Sequence, residues 1–260
     1  MVSRRVDFRV ARNPFSRLKY ALPVDRYLCI SRGVQAAMAA SGIPESRLAL
    51  VPSGIDLAAV RAEAGVPAAD LRALLSIPAG AEVVGTVASL APHKNHALLL
   101  EAAPAILAAR PAAHLVWFGE GGCRPALERR RRELGLETRV HMPGFRPDAR
   151  VLLRQFDLFV LPSYLEGLCT SLLDAQAAGI PIVATAVGGV PEVVSDRVTG
   201  RLVARLDAGE LAAAVTGALA DPAARTAWSA AASRSVEAFG CAHTAQRTLE
   251  EYRRLLGPDA

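Results

Sequence analysis

The sequence predicts an α/β fold: a doubly wound, Rossmann-like parallel sheet with helices on both faces. Three observations predict it. With 260 residues, 52% of them hydrophobic, the chain can bury one large core or two small ones. Short apolar runs alternate with helical patterns through its second half. Those runs are apolar throughout rather than at every other residue, as a strand covered on both faces requires.

The elements follow in order. AEVVGTVASL (81–90) reads as a strand, and HALLLEAAPAILAARP (96–111) has apolar residues at helical spacing and stops at Pro111. AHLVWFGEG (113–121) is a strand running into a glycine-rich turn, CRPALERRRRELGL (123–136) a helix, and RVHMPGF (139–145) a short strand. ARVLLRQF (149–156) is a helix and DLFVLPS (157–163) a strand. GLCTSLLDAQAAG (167–179) is a helix ended by Gly179, and IPIVAT (180–185) is again a strand. VPEVVSD (190–196) is a short helix, TGRLVA (199–204) a strand, and AGELAAAVTGALAD (208–221) and the tail are helical.

The first 56 residues differ: DRYLCIS (25–31) reads as a strand, GVQAAMAASG as a helix, and RLALVPSGID (47–56) as a strand and turn. One and a half strand–helix units leave a parallel strand with an open edge. Residues 1–56 therefore read as the remnant of a second domain with the crossing out of it. Residues 57–240 read as a ligand-binding domain, and residues 241–260 as a C-terminal helix expected to pack on that second domain, of which the first segment is only the end. Leu28, Ile30, Leu249, Leu255 and Leu256 are then expected to be exposed.

The net charge is +5, nearly all from arginine; Lys19 and Lys94 are the only lysines. A basic balance suits nucleotides, nucleic acid or an anionic membrane surface. The run Arg129–Arg132 has Glu128 and Glu133 beside it, and aromatics are only 5% with none interleaved, so it reads as a solvated helix face and no nucleic-acid partner is expected. No apolar run approaches the roughly 18 residues of a membrane span, and MVSRRVDFRVARNPF lacks the apolar segment of a secretory signal. A cytoplasmic location is expected, with peripheral association at the inner membrane face left open. Cys29, Cys123, Cys169 and Cys241 show no metal-ligand spacing and read as reduced, mostly buried thiols.

The glycine-rich FGEGG (118–122) lies between a strand and a helix, where backbone N–H groups and a positive helix end favour an anion. It completes neither a dinucleotide fingerprint nor a P-loop. Glu166 follows the carboxyl end of the strand 157–163, and Asp174 stands eight residues on, two turns into the expected helix. At about 1.5 Å per residue that is roughly 12 Å, with the helix N-terminus between them. An extended ligand with hydroxyls at both ends and an anion in the middle fits such a ruler, and a nucleotide sugar is one. A capping Glu with a surface Asp is the plainer alternative, which spacing leaves open. The separation is too large for the retaining-glycosidase pair at about 5 Å.

At PSYLEGLCTSLLDAQAAGIPIVATAVGGVPEVV (162–194) the chain resembles the donor site of the retaining GT-B glycosyltransferases, specifically glycosyltransferase family 4: PS, then EG, an acid eight residues after the Glu, A-x-G-x-P-V and GG-x-P-E. The resemblance extends over VGTVASLAPHKNHALLLEA, WFGEGGCRPALE, VHMPGFRPDARVLLRQFDLFVLPS and, in the first segment, CISRGVQAAMAASGIPESRLALVPSGID. It implies a GT-B fold and transfer of a sugar, with retention, from a UDP-, GDP- or ADP-sugar. It implies that Glu166 contacts the sugar hydroxyls, Asp174 the ribose, and Lys94 the diphosphate. The backbone of Gly167, Leu168 and Cys169 faces the phosphates, while Gly119, Gly121, Phe145 and Arg146 lie near the base. No cofactor or metal is called for, since Lys94 and a helix N-terminus can neutralise the charge that Mg²⁺ neutralises elsewhere.

Three departures stand out. Ser89 occupies the place where the family usually has an arginine on the diphosphate, and the second acid is Asp174 rather than Glu. The family's N-terminal acceptor domain, with its catalytic-site histidine, has only its end represented. His93, His96, His114, His141 and His243 all lie outside it. The expectation is a donor-binding half that needs an N-terminal domain or partner chain and transfers little alone. A stand-alone or split-chain nucleotide-sugar-binding module is the alternative.

Overall fold

The computed structural model describes residues 1–5 and 23–257. The middle of the expected first segment and the last three residues of the C-terminal segment lie outside them. Two parallel sheets make up the framework. The smaller has the order β1 (Val2–Arg4), β2 (Tyr27–Cys29), β3 (Leu48–Leu50), with the helix Arg32–Ala39 joining the last two. The larger contains β4 (Glu82–Val87), β5 (Ala113–Phe118), β6 (Val140–Gly144), β7 (Leu158–Leu161), β8 (Ile182–Thr185) and β9 (Arg201–Val203) in the order β6-β5-β4-β7-β8-β9. This is the predicted doubly wound α/β fold.

Its strands are mostly apolar because both faces are covered, with Thr86, His114 and Thr185 the buried polar exceptions among the described residues. On one face Val84, Leu115, Trp117, Leu158 and Val160 pack with Leu99, Leu100 and Ile106 of the helix His96–Ala109 and Leu211 and Val215 of the helix Ala208–Ala220. On the other, Val83, Val116, Phe118 and Phe159 pack with Leu172 and Leu173 of the helix Thr170–Ala177. That second core continues without a break into Tyr27, Cys29, Val34 and Met38 of the smaller layer. Shared burial of apolar area therefore joins the two sheets.

Four expectations need correction. The first segment holds a third strand, β1, which protects the edge of β2 that was expected to be open. Leu28 and Ile30 are consequently buried: Leu28 packs with Ala49, Val51 and Met1, and the Ile30 side chain lies against Gly167. The helix expected from residue 167 begins at Thr170, because Cys169 is still extended. Finally, of the cysteines only Cys29 and Cys169 are buried, and Cys241 is exposed. Leu249, Leu255 and Leu256 are exposed as expected, and Tyr252 joins them on the helix Cys241–Leu256.

That helix packs on the first segment: Arg26 Nε lies 2.9 Å from Glu251 Oε2, and the Thr244 hydroxyl donates to the Pro52 carbonyl at 2.8 Å. The two passages of chain between the sheets meet beside it. Ile55 N–H donates to the Phe239 carbonyl and Cys241 N–H to the Ile55 carbonyl, each at 2.9 Å.

Candidate functional site

Within the larger sheet the chain starts at β4, moves outward through β5 and β6, and returns to the other side of β4 for β7. The carboxyl ends of β4 and β7 thus flank the topological switch point, where open α/β sheets hold their ligands. Lys94 closes the short turn after β4 and Glu166 stands in the loop after β7. The sheet brings them together: Lys94 Nζ donates to Glu166 Oε1 at 2.7 Å, with side chains 15% and 5% exposed. The Ser163 hydroxyl donates to the same oxygen at 2.6 Å, and the Thr185 hydroxyl at the end of β8 holds the Ser163 carbonyl. Tyr164 N–H donates to the His93 carbonyl at 2.9 Å, tying the two loops directly. Cys169 Sγ is 4.0 Å from Lys94 Nζ and 3.1 Å from Ser171 Oγ. Burial, reinforced by the Glu166 charge, pushes its thiol up. It is a packed thiol rather than an exposed nucleophile.

The glycine turn after β5 is fastened on both sides. Gly119 N–H donates to the Gly144 carbonyl and Leu90 N–H to the Glu120 carbonyl, both at 2.9 Å. Gly119 has φ 148°, and a Cβ there would overlap the Ala88 carbonyl oxygen. This approach of turn to loop forms a cleft of about 390 Å³ lined by Val87, Ser89, Phe118, Gly119, Phe145 and Arg146, among others. Phe145, 73% exposed, stands at its rim. Arg146 is held by a two-bond pair to Asp148, at 2.8 and 2.7 Å. Gly121 lies beside the Leu90 backbone.

Asp174 is in the second turn of the helix Thr170–Ala177, closer to its start than expected. Burial pushes its carboxyl up to about 6, against the Arg150 charge and with the Glu63 charge adding to the rise. Arg150 itself forms a two-oxygen pair with Glu63. Gly167 and Leu168 lead through a bend to an extended Cys169 at the start of this helix, and no side chain caps it at Cys169. Sequence reasoning missed Ser163, Thr185 and Glu192. Ser163 lies within the PS pair and Glu192 within GG-x-P-E, so the motifs marked their positions but not their bonds.

Residues 69–235 match the family described as glycosyl transferases group 1. The chain belongs to that family. A D-inositol 3-phosphate glycosyltransferase of Mycolicibacterium paratuberculosis is 36% identical over 215 residues, covering 81% of this chain and 48% of the relative. Its Mycobacterium tuberculosis counterpart is 35% identical over 222 residues, covering 83% and 45%. The chain spans about half the length of the curated relatives it matches. Among solved structures, a glycosyltransferase from Rickettsia africae superposes with a TM-score of 0.85 at 18% identity, over 96% of this chain and 69% of that one. Anabaena Alr3699/HepE in complex with UDP-glucose gives 0.82 at 22% identity, over 97% and 72%. These likenesses establish the GT-B type of fold. Among the described residues no helix is long and apolar enough to cross a membrane.

Proposed function

We propose that the described residues form the donor side of a retaining glycosyltransferase of family 4, which moves a sugar from a nucleotide diphosphate sugar to an acceptor. The observation that carries this reading is the buried Lys94–Glu166 pair at the switch point, beside a cleft large enough for a base. On this reading the base enters the cleft between Ser89 and Phe145. The ribose hydroxyls meet Asp174, which accepts hydrogen bonds as Glu would but reaches about one methylene less. The diphosphate meets Lys94 and the open N-terminus of the helix Thr170–Ala177, where a compact cation and backbone N–H groups neutralise charge on the leaving group. Glu166, already accepting bonds from Lys94 and Ser163, has a second carboxylate oxygen to offer a sugar hydroxyl. The complexes of Anabaena Alr3699/HepE with UDP and UDP-glucose lend support. Ser89 offers a hydroxyl where family members place a cation, so diphosphate affinity leans on Lys94. No cofactor or metal enters this reading.

The acceptor side would come from a further domain or a partner chain. The exposed apolar stripe Leu249, Tyr252 and Leu256 favours a companion reading, in which this chain acts as a binding module with such a partner. Calorimetric titration with UDP-, GDP- and ADP-glucose tests the donor reading. One of the three should bind, Lys94→Ala should weaken every diphosphate, and Glu166→Ala should abolish only the gain from the sugar. Failure of all three to bind would overturn it. Transfer by this chain alone near 1 s⁻¹, an ordinary enzymatic rate, would overturn the companion reading.

A further inference from the structure

We propose that Glu192, the acid of GG-x-P-E, is a positioning residue. Its carboxylate latches the first turn of the helix Arg32–Ala39 against the Gly188–Gly189 loop, and through that loop it fixes the main chain of Glu166. The inference rests on the reading of Glu166 as the acid that meets the donor sugar.

Three links make the chain of contacts. In the first, Glu192 Oε2 accepts the Arg32 N–H at 3.0 Å and Oε1 accepts the Gly33 N–H at 3.2 Å. These donors belong to a helix start, where backbone N–H groups have no partner within the helix. The Ser31 hydroxyl accepts the next one, from Val34, at 3.1 Å. A carboxylate also suits the positive end of a helix. Glu192 thus joins the larger sheet to an element 160 residues away.

The second link is backbone laid on backbone. A Cβ on Gly33 would come within 3.1 Å of the Gly188 carbonyl carbon, and one on Gly189 would overlap the Gly167 carbonyl oxygen. The Ser31 Cβ also lies against Gly189, so with only backbone and this short side chain at the contact a displacement of the helix start passes directly to the loop. The third link is a pair of hydrogen bonds. Gly189 N–H donates to the Glu166 carbonyl at 3.0 Å, and Glu192 N–H donates to the Gly189 carbonyl at 3.1 Å. Glu192 therefore grips the same glycine with its own backbone while its side chain holds the far wall. Because the Glu166 carboxylate is buried and bonded to two partners, its main chain sets where the remaining oxygen points. An error of about 1 Å in such placement costs reactivity and binding steeply.

The test combines amide hydrogen exchange on the whole chain with titration of UDP and UDP-glucose. Glu192→Ala removes the latch, Glu192→Gln keeps one acceptor oxygen, and Gly33→Ala perturbs the same contact from the opposite side. For Glu192→Ala and Gly33→Ala, exchange should rise about tenfold in segments 31–35, 186–190 and 164–168, while β5 keeps the wild-type rate. The UDP-glucose Kd should rise about tenfold with the UDP Kd little changed, and Glu192→Gln should recover part of both effects. Opening of 31–35 with 164–168 still protected would reduce Glu192 to a local cap and overturn the proposal. A uniform rise that includes β5 would overturn it as a loss of global stability. If the wild-type chain binds no nucleotide sugar, the donor reading fails, and the exchange pattern still decides whether the latch couples to Glu166.

Discussion

The Lys94–Glu166 pair permits a quantitative test without any substrate. Its side chains are 15% and 5% exposed, so each is stripped of most of its water and faces the other as its ion-pair partner. Removing one partner from such a pair typically costs about 3–5 kcal/mol, chiefly because the survivor is left buried and unpaired. The two sides are not equivalent. Glu166 left without Lys94 keeps one bond, from the Ser163 hydroxyl, but has little exposure through which to regain water. Lys94 left without Glu166 has a flexible stem and can turn its ammonium outward. Lys94→Ala should therefore cost about 3 kcal/mol, near the lower end of that range, and Glu166→Ala about 2 kcal/mol. The double variant strands no charge and should cost far less than the sum, leaving a coupling of about 2 kcal/mol. Equilibrium urea unfolding followed by tryptophan fluorescence measures all four corners of the cycle. Additivity within about 0.5 kcal/mol would show that the ion pair carries no energy of its own, and the reading of the site as a preformed charge cradle would fall with it.

Further outcomes can be checked together. His96 is buried against Trp117, and burial, aided by the Lys94 charge, lowers its pKa to about 4. The unfolded chain binds that proton more readily, so the neutral ring's contribution is present above pH 6.5 and is lost as pH falls toward 4. At about 1.36 kcal/mol per pKa unit the loss is on the order of 3 kcal/mol, and His96→Leu should flatten the urea midpoint between pH 7 and pH 4.5. An equally steep decline in the variant would assign the acid sensitivity elsewhere, for example to His141, whose pKa is also lowered to about 4. Gly119→Ala should cost at least about 2 kcal/mol in stability, from its unusual φ and the Ala88 carbonyl in its way; unchanged thermal unfolding would mean that the turn can relax. Phe145→Ala should leave stability within about 0.5 kcal/mol yet weaken nucleotide binding roughly tenfold, about 1.4 kcal/mol. Unaltered affinity would remove the base from that cleft.

The larger sheet was legible because its strands are predominantly apolar on both faces and end in punctuating residues. The helix 96–109 and strands 82–87 and 113–118 fall where periodicity puts them. What escaped was set by tertiary contact. β1 is three residues long, with Val2 exposed, and carries no periodicity to detect. Leu28 and Ile30 were judged as residues of an exposed edge, but coverage by Met1 and by the Gly167 loop is decided far away in sequence. Residues 167–169 continue a helical apolar spacing, yet Gly167 lies close against Ile30 and the Arg5 carbonyl, and the helix starts only at Thr170, after an extended Cys169. At the site, the motifs located Lys94 and Glu166 but could not show that they bond to each other across the switch point, or that Ser163 shares the same oxygen.

The tie between Ile55 and residues 239–241 also has a mechanical meaning. The polypeptide passes between the two sheets twice, and its two strands of passage are pinned to each other by a reciprocal pair of hydrogen bonds. Sliding or twisting one sheet against the other would break that pair, and a turn about it would still tear the Glu192 bonds to Arg32 and Gly33 and the apolar core that the sheets share. The two sheets are therefore held to each other at several separate points. The Lys94–Glu166 crevice lies in the larger sheet, and the Arg32–Gly33 backbone that Glu192 grips belongs to the smaller layer.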